Sequence, residues 1–208
     1  MKKVILSLMA LSLLAVSCKN EEKPSDVAAA AAAKPAKKLT KEEIDKAWMD
    51  YATPGDMHKW MSAMDGTWDS DMTMWMYPDS PAMKTKGVAV YKTALNGLYQ
   101  ESIHTADMGP MKFEGRSTMG YDNVKKVFVS TWYDNMGSGI MMMEGTYDNK
   151  TKTFTSTGKG VDAAQGKEVD MKEIVKYPDD NTVQVEMYSI QDGKETKTME
   201  LTAKRRKK

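Results

Sequence analysis

Cys18 is the only cysteine in this 208-residue chain, and its surroundings suit a thiol destined for acylation. Lys2 and Lys3 give a positive start, and Val4–Val16 is a 13-residue apolar run. Such a run is too short to span a bilayer and has the flanks of a signal peptide. Ala15-Val16-Ser17-Cys18 then reads as a lipobox, with Ala where Leu is commoner. Cleavage before Cys18 leaves its thiol at the mature N-terminus, where two or more acyl chains make a stable membrane anchor. With no second cysteine there is no disulfide, so a hydrophobic core must hold the fold.

Methionine is the other unusual chemical resource: the chain has 20, against 3 phenylalanines. On a strand, alternation puts Trp68, Met72, Met74 and Met76 on one face and Asp69, Asp71 and Thr73 on the other. A thioether wall is polarizable and adaptable, which suits an apolar ligand of variable shape or simple core filling. It also suits a soft cation such as Cu(I), as a remote alternative. Met141-Met142-Met143 alternate faces, so they cannot converge on one ion, and Met136 and Met143 read as parts of a half-buried strand pair.

Polar candidates inside the same segments are Glu101, Arg116, Trp132 and Tyr188. Arg116 is the best anchor for a ligand carboxylate, although parity with Glu114 points it towards solvent. His58 and His104 lie far apart, with no partner at metal-ligand spacing. No G-x-S-x-G elbow, H-E-x-x-H helix or phosphate-cradling glycine loop occurs, no carboxylate pair is placed by a pattern, and no cofactor site is expected. With 30 basic and 29 acidic residues the chain has no field for nucleic acid, and the terminal Lys204–Lys208 run reads as a solvated end.

Four segments position these groups. Residues 1–17 are the signal peptide, and residues 18–39 are an Ala-, Lys- and Pro-rich tether with nothing apolar to bury. Residues 40–65 form a helical cap. Thr40-Lys41-Glu42-Glu43 is a capping box, and Ile44, Ala47, Trp48 and Tyr51 recur at helical spacing up to Pro54-Gly55. A second stripe holds Met57, Trp60, Met61 and Met64. Helices this short need a partner surface, so both stripes are expected to be covered. From Trp68 the period becomes two, and turn signals such as Asn96-Gly97, Asp122-Asn123 and Asp192-Gly193 divide the chain into about ten strands. The expected architecture is mostly β: one up-and-down antiparallel barrel over residues 66–206, closed to remove its edges, behind one or two short helices.

A short helix, then Gly66-Thr67-Trp68, then a meander resembles the start of a calycin barrel. Thr118–Asp122, Trp132-Tyr133-Asp134, Glu144–Asp148 and Glu200–Arg205 narrow the match. They resemble the calycin-like bacterial family known as domain of unknown function 1579, over about residues 55–206. The resemblance implies that Trp68 points into the barrel floor, and hence that Met72, Met74 and Met76 line its wall. It carries no activity with it.

The function expected is a lipid-anchored, non-enzymatic binding module of the bacterial envelope, at the periplasmic or surface face of the outer membrane. Trp68, Met72, Met74, Met76, Arg116 and Trp132 would hold a small apolar or amphipathic ligand. The alternative is a solid barrel with a structural or interaction role. Replacing Cys18 by Ala should move the protein from the membrane pellet to the soluble fraction; retention in the pellet would sink the anchor.

Overall fold

A computed structural model describes residues 38–77 and 79–207. Cys18, the signal peptide and all of the tether before Lys38 lie outside the described residues. Helix α1, Lys41–Tyr51, opens on the capping box: the Thr40 hydroxyl accepts the Glu43 N–H at 3.2 Å, and Glu43 accepts the Thr40 N–H at 2.9 Å. Helix α2, Asp56–Ser62, follows. Ten antiparallel strands come next: β1 Gly66–Met74, β2 Met83–Ala94, β3 Tyr99–Met108, β4 Met111–Asp122 and β5 Val127–Asp134. The second half is β6 Met141–Asp148, β7 Thr153–Asp162, β8 Lys167–Asp179, β9 Thr182–Gln191 and β10 Lys194–Arg205.

Each strand pairs with its sequence neighbour, and β1 pairs with β10, closing the barrel. Register fixes which side chains share the interior. Trp68 lies opposite Ala89, Ala89 opposite His104, and His104 opposite Gly115. On the other side, Met74 is level with Met199, Met199 with Met187, Met187 with Glu173, and Glu173 with Ser156.

One end of the barrel is packed shut. Trp68, Phe128 and Phe154 are each 1% exposed and Met61 of α2 is 2% exposed. Trp60 of α2 meets Phe128, Tyr147, Phe154 and Tyr177 with ring centroids 5.2, 4.4, 6.3 and 5.3 Å away. Rings of this size each remove roughly 150–250 Å² from water, so this floor is the main apolar reservoir of stability.

The Arg205 guanidinium completes the floor, 4.3 Å from the Trp68 ring. It donates to the Asp65 carbonyl at 2.6 Å and the Ala63 carbonyl at 2.7 Å. Gln100 donates to the Met61 carbonyl at 2.6 Å, and the Trp68 indole to that of Met64 at 2.9 Å. The free carbonyls at the end of α2 are thereby satisfied from β1, β3 and β10.

Two expectations need correction. The α1 stripe is not covered: Trp48 is 66% exposed, Ile44 and Tyr51 are exposed, and no residue of this helix is buried. Instead, the Asn123 side-chain amide binds the carbonyls of Tyr51 and Thr53 at 3.0 and 2.8 Å, so polar capping at the end of α1 replaces apolar packing. Met136 belongs to no strand, sits in the turn before β6 and is exposed. Met143 does lie on a half-buried strand: it points inward at 4% exposure, while the neighbouring Met142 is exposed.

Replacing Arg205 by Met should cost about 1–3 kcal/mol, since it strips the part-buried Asp65 carbonyl and the exposed Ala63 carbonyl of a charged donor and uncovers the Trp68 ring. Asp71→Lys, on the outer face beside Lys86, should shift stability by only about 0.5 kcal/mol. Urea unfolding of both variants measures the difference.

Candidate functional site

Above the floor the inward side chains change character. Ser102, Ser117, Ser130, Ser156 and Ser189 alternate around the wall with Met119, Met141, Met171, Met187 and Met199. Tyr91, His104, Trp132, Met171, Glu173 and Met187 occupy inward positions and yet remain half-buried. Side chains in a filled barrel would be as inaccessible as Phe128. These keep accessible surface because small serines and glycines leave the space before them open. The lumen is closed at the α2 end and open at the other.

His104 is the polar centre of one wall. Its Nε2 lies 2.9 Å from the Ser102 hydroxyl, and its ring meets Tyr91 and Trp132 edge-on at 5.5 and 5.0 Å. Burial brings its pKa down from 6.5 to about 4, so the imidazole is neutral. The Trp132 indole donates to Asp134 at 2.7 Å, and its ring lies over Gly115. A Cβ on Gly115 would stand 2.5 Å from that ring, so only glycine permits this seat.

Glu173 is the polar centre of the opposite wall. It accepts the Ser156 hydroxyl at 3.1 Å, and desolvation raises its pKa despite that hydrogen bond. Burial, and then the nearby Glu173 charge, hold the Tyr91 phenol above its ordinary 10.0. Tyr177 is raised for the same leading reason, with Tyr91, Glu173 and Tyr147 adding to it. Glu173 and the three tyrosines therefore form one electrostatic neighbourhood.

The residues expected to form the site divide. Trp68, Met72, Met74 and Trp132 do occupy inward positions, with Trp68 in the floor and the others along the wall. Met76 does not: β1 ends at Met74, so alternation stops applying, and Met76 is 64% exposed. Arg116 is on the outer face, where its guanidinium binds Glu114 Oε1 at 2.8 and 3.0 Å. Glu101 and Tyr188 also face outward; Tyr188 lies 5.7 Å from the Lys197 ammonium. His58 is in the cap, where its Nδ1 accepts the Gly55 N–H at 3.0 Å and starts α2. Burial lowers its pKa too.

Glu173 and His104 went unassigned in the sequence, although β8 carried a signal. Val169, Met171, Glu173, Val175 and Tyr177 share one parity against Asp170, Lys172, Ile174 and Lys176. A carboxylate in the apolar set marks an inward acid. The described residues contain no cluster of three His, Cys, Asp or Glu side chains arranged for a metal.

The model of the family described as "Protein of unknown function (DUF1579)" matches residues 53–205. The chain belongs to that family. Two solved structures similar to it are Rv2717c from M. tuberculosis and the S-type phycobiliprotein lyase CPES from Guillardia theta. The first has a TM-score of 0.56 at 10% identity and covers 74% of this chain and 100% of its own. The second has a TM-score of 0.54 at 11% identity and covers 77% of this chain and 97% of its own. At such identities the likeness is one of fold. No curated protein matches the chain.

The depressed His104 pKa makes a pH prediction. A neutral buried histidine binds no proton in the folded state at pH values where the unfolded chain does. Its stabilisation is therefore full above 6.5 and is lost as pH falls towards about 4. The loss should reach at most about 3 kcal/mol from this residue. Thermal melts from pH 7 to 4 should show it, and His104→Phe should flatten the slope in that window.

Proposed function

We propose that this chain is a non-enzymatic, lipid-anchored binding module of the bacterial envelope, which holds a small amphipathic molecule in its barrel. The observation that carries this reading is the half-buried state of the inward Tyr91, His104, Trp132, Glu173 and Met187 above a sealed aromatic floor. An open, mostly apolar chamber with a few convergent polar groups is the usual form of a small-molecule site. Flexible methionines tolerate variation in the apolar part of a guest, while Ser102, His104, Ser156 and Glu173 favour one polar head. The lipobox at Cys18 supports placing the module on a membrane, through the tether of residues 18–39.

The test is titration with N-phenyl-1-naphthylamine, a neutral dye that brightens in apolar surroundings. One dye should bind per folded chain, and Met187→Trp should weaken binding at least about tenfold by filling the lumen. A solid barrel with a structural role would bind no dye, and Met187→Trp would then cost about 1–3 kcal/mol through overpacking.

A further inference from the structure

We propose that the lumen selects amphiphiles with a cationic ammonium head, and that the Glu173 carboxylate is the counter-ion. This rests on the barrel being a binding chamber and adds the charge of what it binds. The argument begins with what faces inward. Across all ten strands, among the described residues, no Lys or Arg occupies an inward position between Arg205 in the floor and Lys167 and Lys194 at strand ends. Arg205 is already committed to the carbonyls of Asp65 and Ala63 and to the Trp68 ring. The inward acids, by contrast, are Glu173 in the wall, Asp134 near the open end, and Asp162 at the end of β7, where it is level with Lys167 and accepts from Gln165. Asp134 is occupied by the Trp132 indole and the Met136 N–H at 2.7 and 2.9 Å. Glu173 has one neutral donor, the Ser156 hydroxyl, and no cationic partner among the described residues.

A carboxylate taken out of water without an opposite charge is costly, and a hydroxyl compensates only part of that cost. A guest that brings the missing positive charge gains what the empty barrel lacks. The surroundings suit an ammonium in particular. Tyr91 and Tyr177 sit within reach of the Glu173 charge, and Tyr147 meets Tyr177 with centroids 5.9 Å apart. Aromatic faces beside a carboxylate attract alkylated ammonium groups, which a purely hydrogen-bonding site would not favour. Met171 and Met187 flank Glu173 in the wall, one on its own strand and one across the register, and offer the adjoining tail a soft surface.

Glu173 also makes the selection dependent on pH. The titratable groups at inward positions on the surrounding strands are Tyr91, His104, Tyr121, Asp134, Tyr147, Asp162 and Tyr177, of which Tyr91 and Tyr177 feel the Glu173 charge. His104 is neutral above about 4, and Tyr91 and Tyr177 are held above 10.0. Glu173 thus changes the lumen charge as pH rises through its elevated range above 4.5. Affinity for a permanent cation should grow over that rise, and affinity for a neutral guest should not.

The experiment is displacement of bound N-phenyl-1-naphthylamine by decyltrimethylammonium, decanol and decanoate, each below its micelle concentration. At pH 7 the cation should displace about tenfold more strongly than decanol, and decanoate more weakly than either. Glu173→Gln should make the cation and decanol displace equally, read as the ratio of their displacement constants, which does not depend on the dye's own affinity. It should also raise the melting temperature at pH 7, because it removes a buried acid whose ionisation opposes folding. A cation no better than decanol, or a preference that survives Glu173→Gln, overturns the proposal. Should that variant fold poorly, the wild-type pH series decides: a preference that does not fade as pH falls to 4.5 overturns it as well. Failure of the dye itself to bind would instead remove the chamber, and this inference with it.

Discussion

The Arg205 guanidinium over the Trp68 ring is the contact on which the barrel depends. It joins the start of the first strand to the end of the last, and it does so at the floor, where the exposed carbonyls of α2 need donors. A charge in that position is expensive unless its hydrogen bonds and its ring face are both used. Here one group satisfies Ala63 and Asp65 and covers the indole, while Gln100 and the indole N–H serve Met61 and Met64. Asp65 completes the arrangement through its side chain, which accepts Gln100 at 2.9 Å and the Thr93 N–H at 2.8 Å. The floor is thus a polar lattice bolted onto an aromatic plug.

That division of labour frees the other end. With Trp68, Phe128 and Phe154 carrying the apolar burial at one end, the wall above can be built of serines, glycines and methionines without collapsing. Two partly desolvated titratable groups, His104 and Glu173, then sit where they weaken the fold under different conditions, one as acid is added and the other as it is removed. Neither contributes to closure. Their presence is more readily explained by what the chamber holds than by what holds the chamber.

The barrel was largely legible in the chain because a period of two, tight turn signals and a capping box are local properties. Ten strands, the floor position of Trp68 and the inward Met72 and Met74 all follow from alternation counted from one anchored residue. Alternation fails where a strand stops, which is why Met76 was misplaced just beyond Met74. It also cannot weigh competing uses of a polar residue: Arg116 finds Glu114 two positions away and needs no lumen. The α1 stripe misled for another reason, since amphipathic spacing does not say whether a surface waits to receive it. His104 and Glu173 needed the closed register, because only pairing around the barrel shows which polar residues face one another.

Closing β1 against β10 also governs when this protein can fold. Trp68 and Arg205 are direct partners in the sheet, with the other eight strands strung between them. A ribosome must deliver nearly the whole domain before the first strand has its second neighbour, and the loop that closes is as long as the barrel itself. Contacts of such sequence separation slow folding and favour an all-or-none transition over stepwise assembly. A chain closed in this way stays open until its last strand arrives, and then locks in a single step.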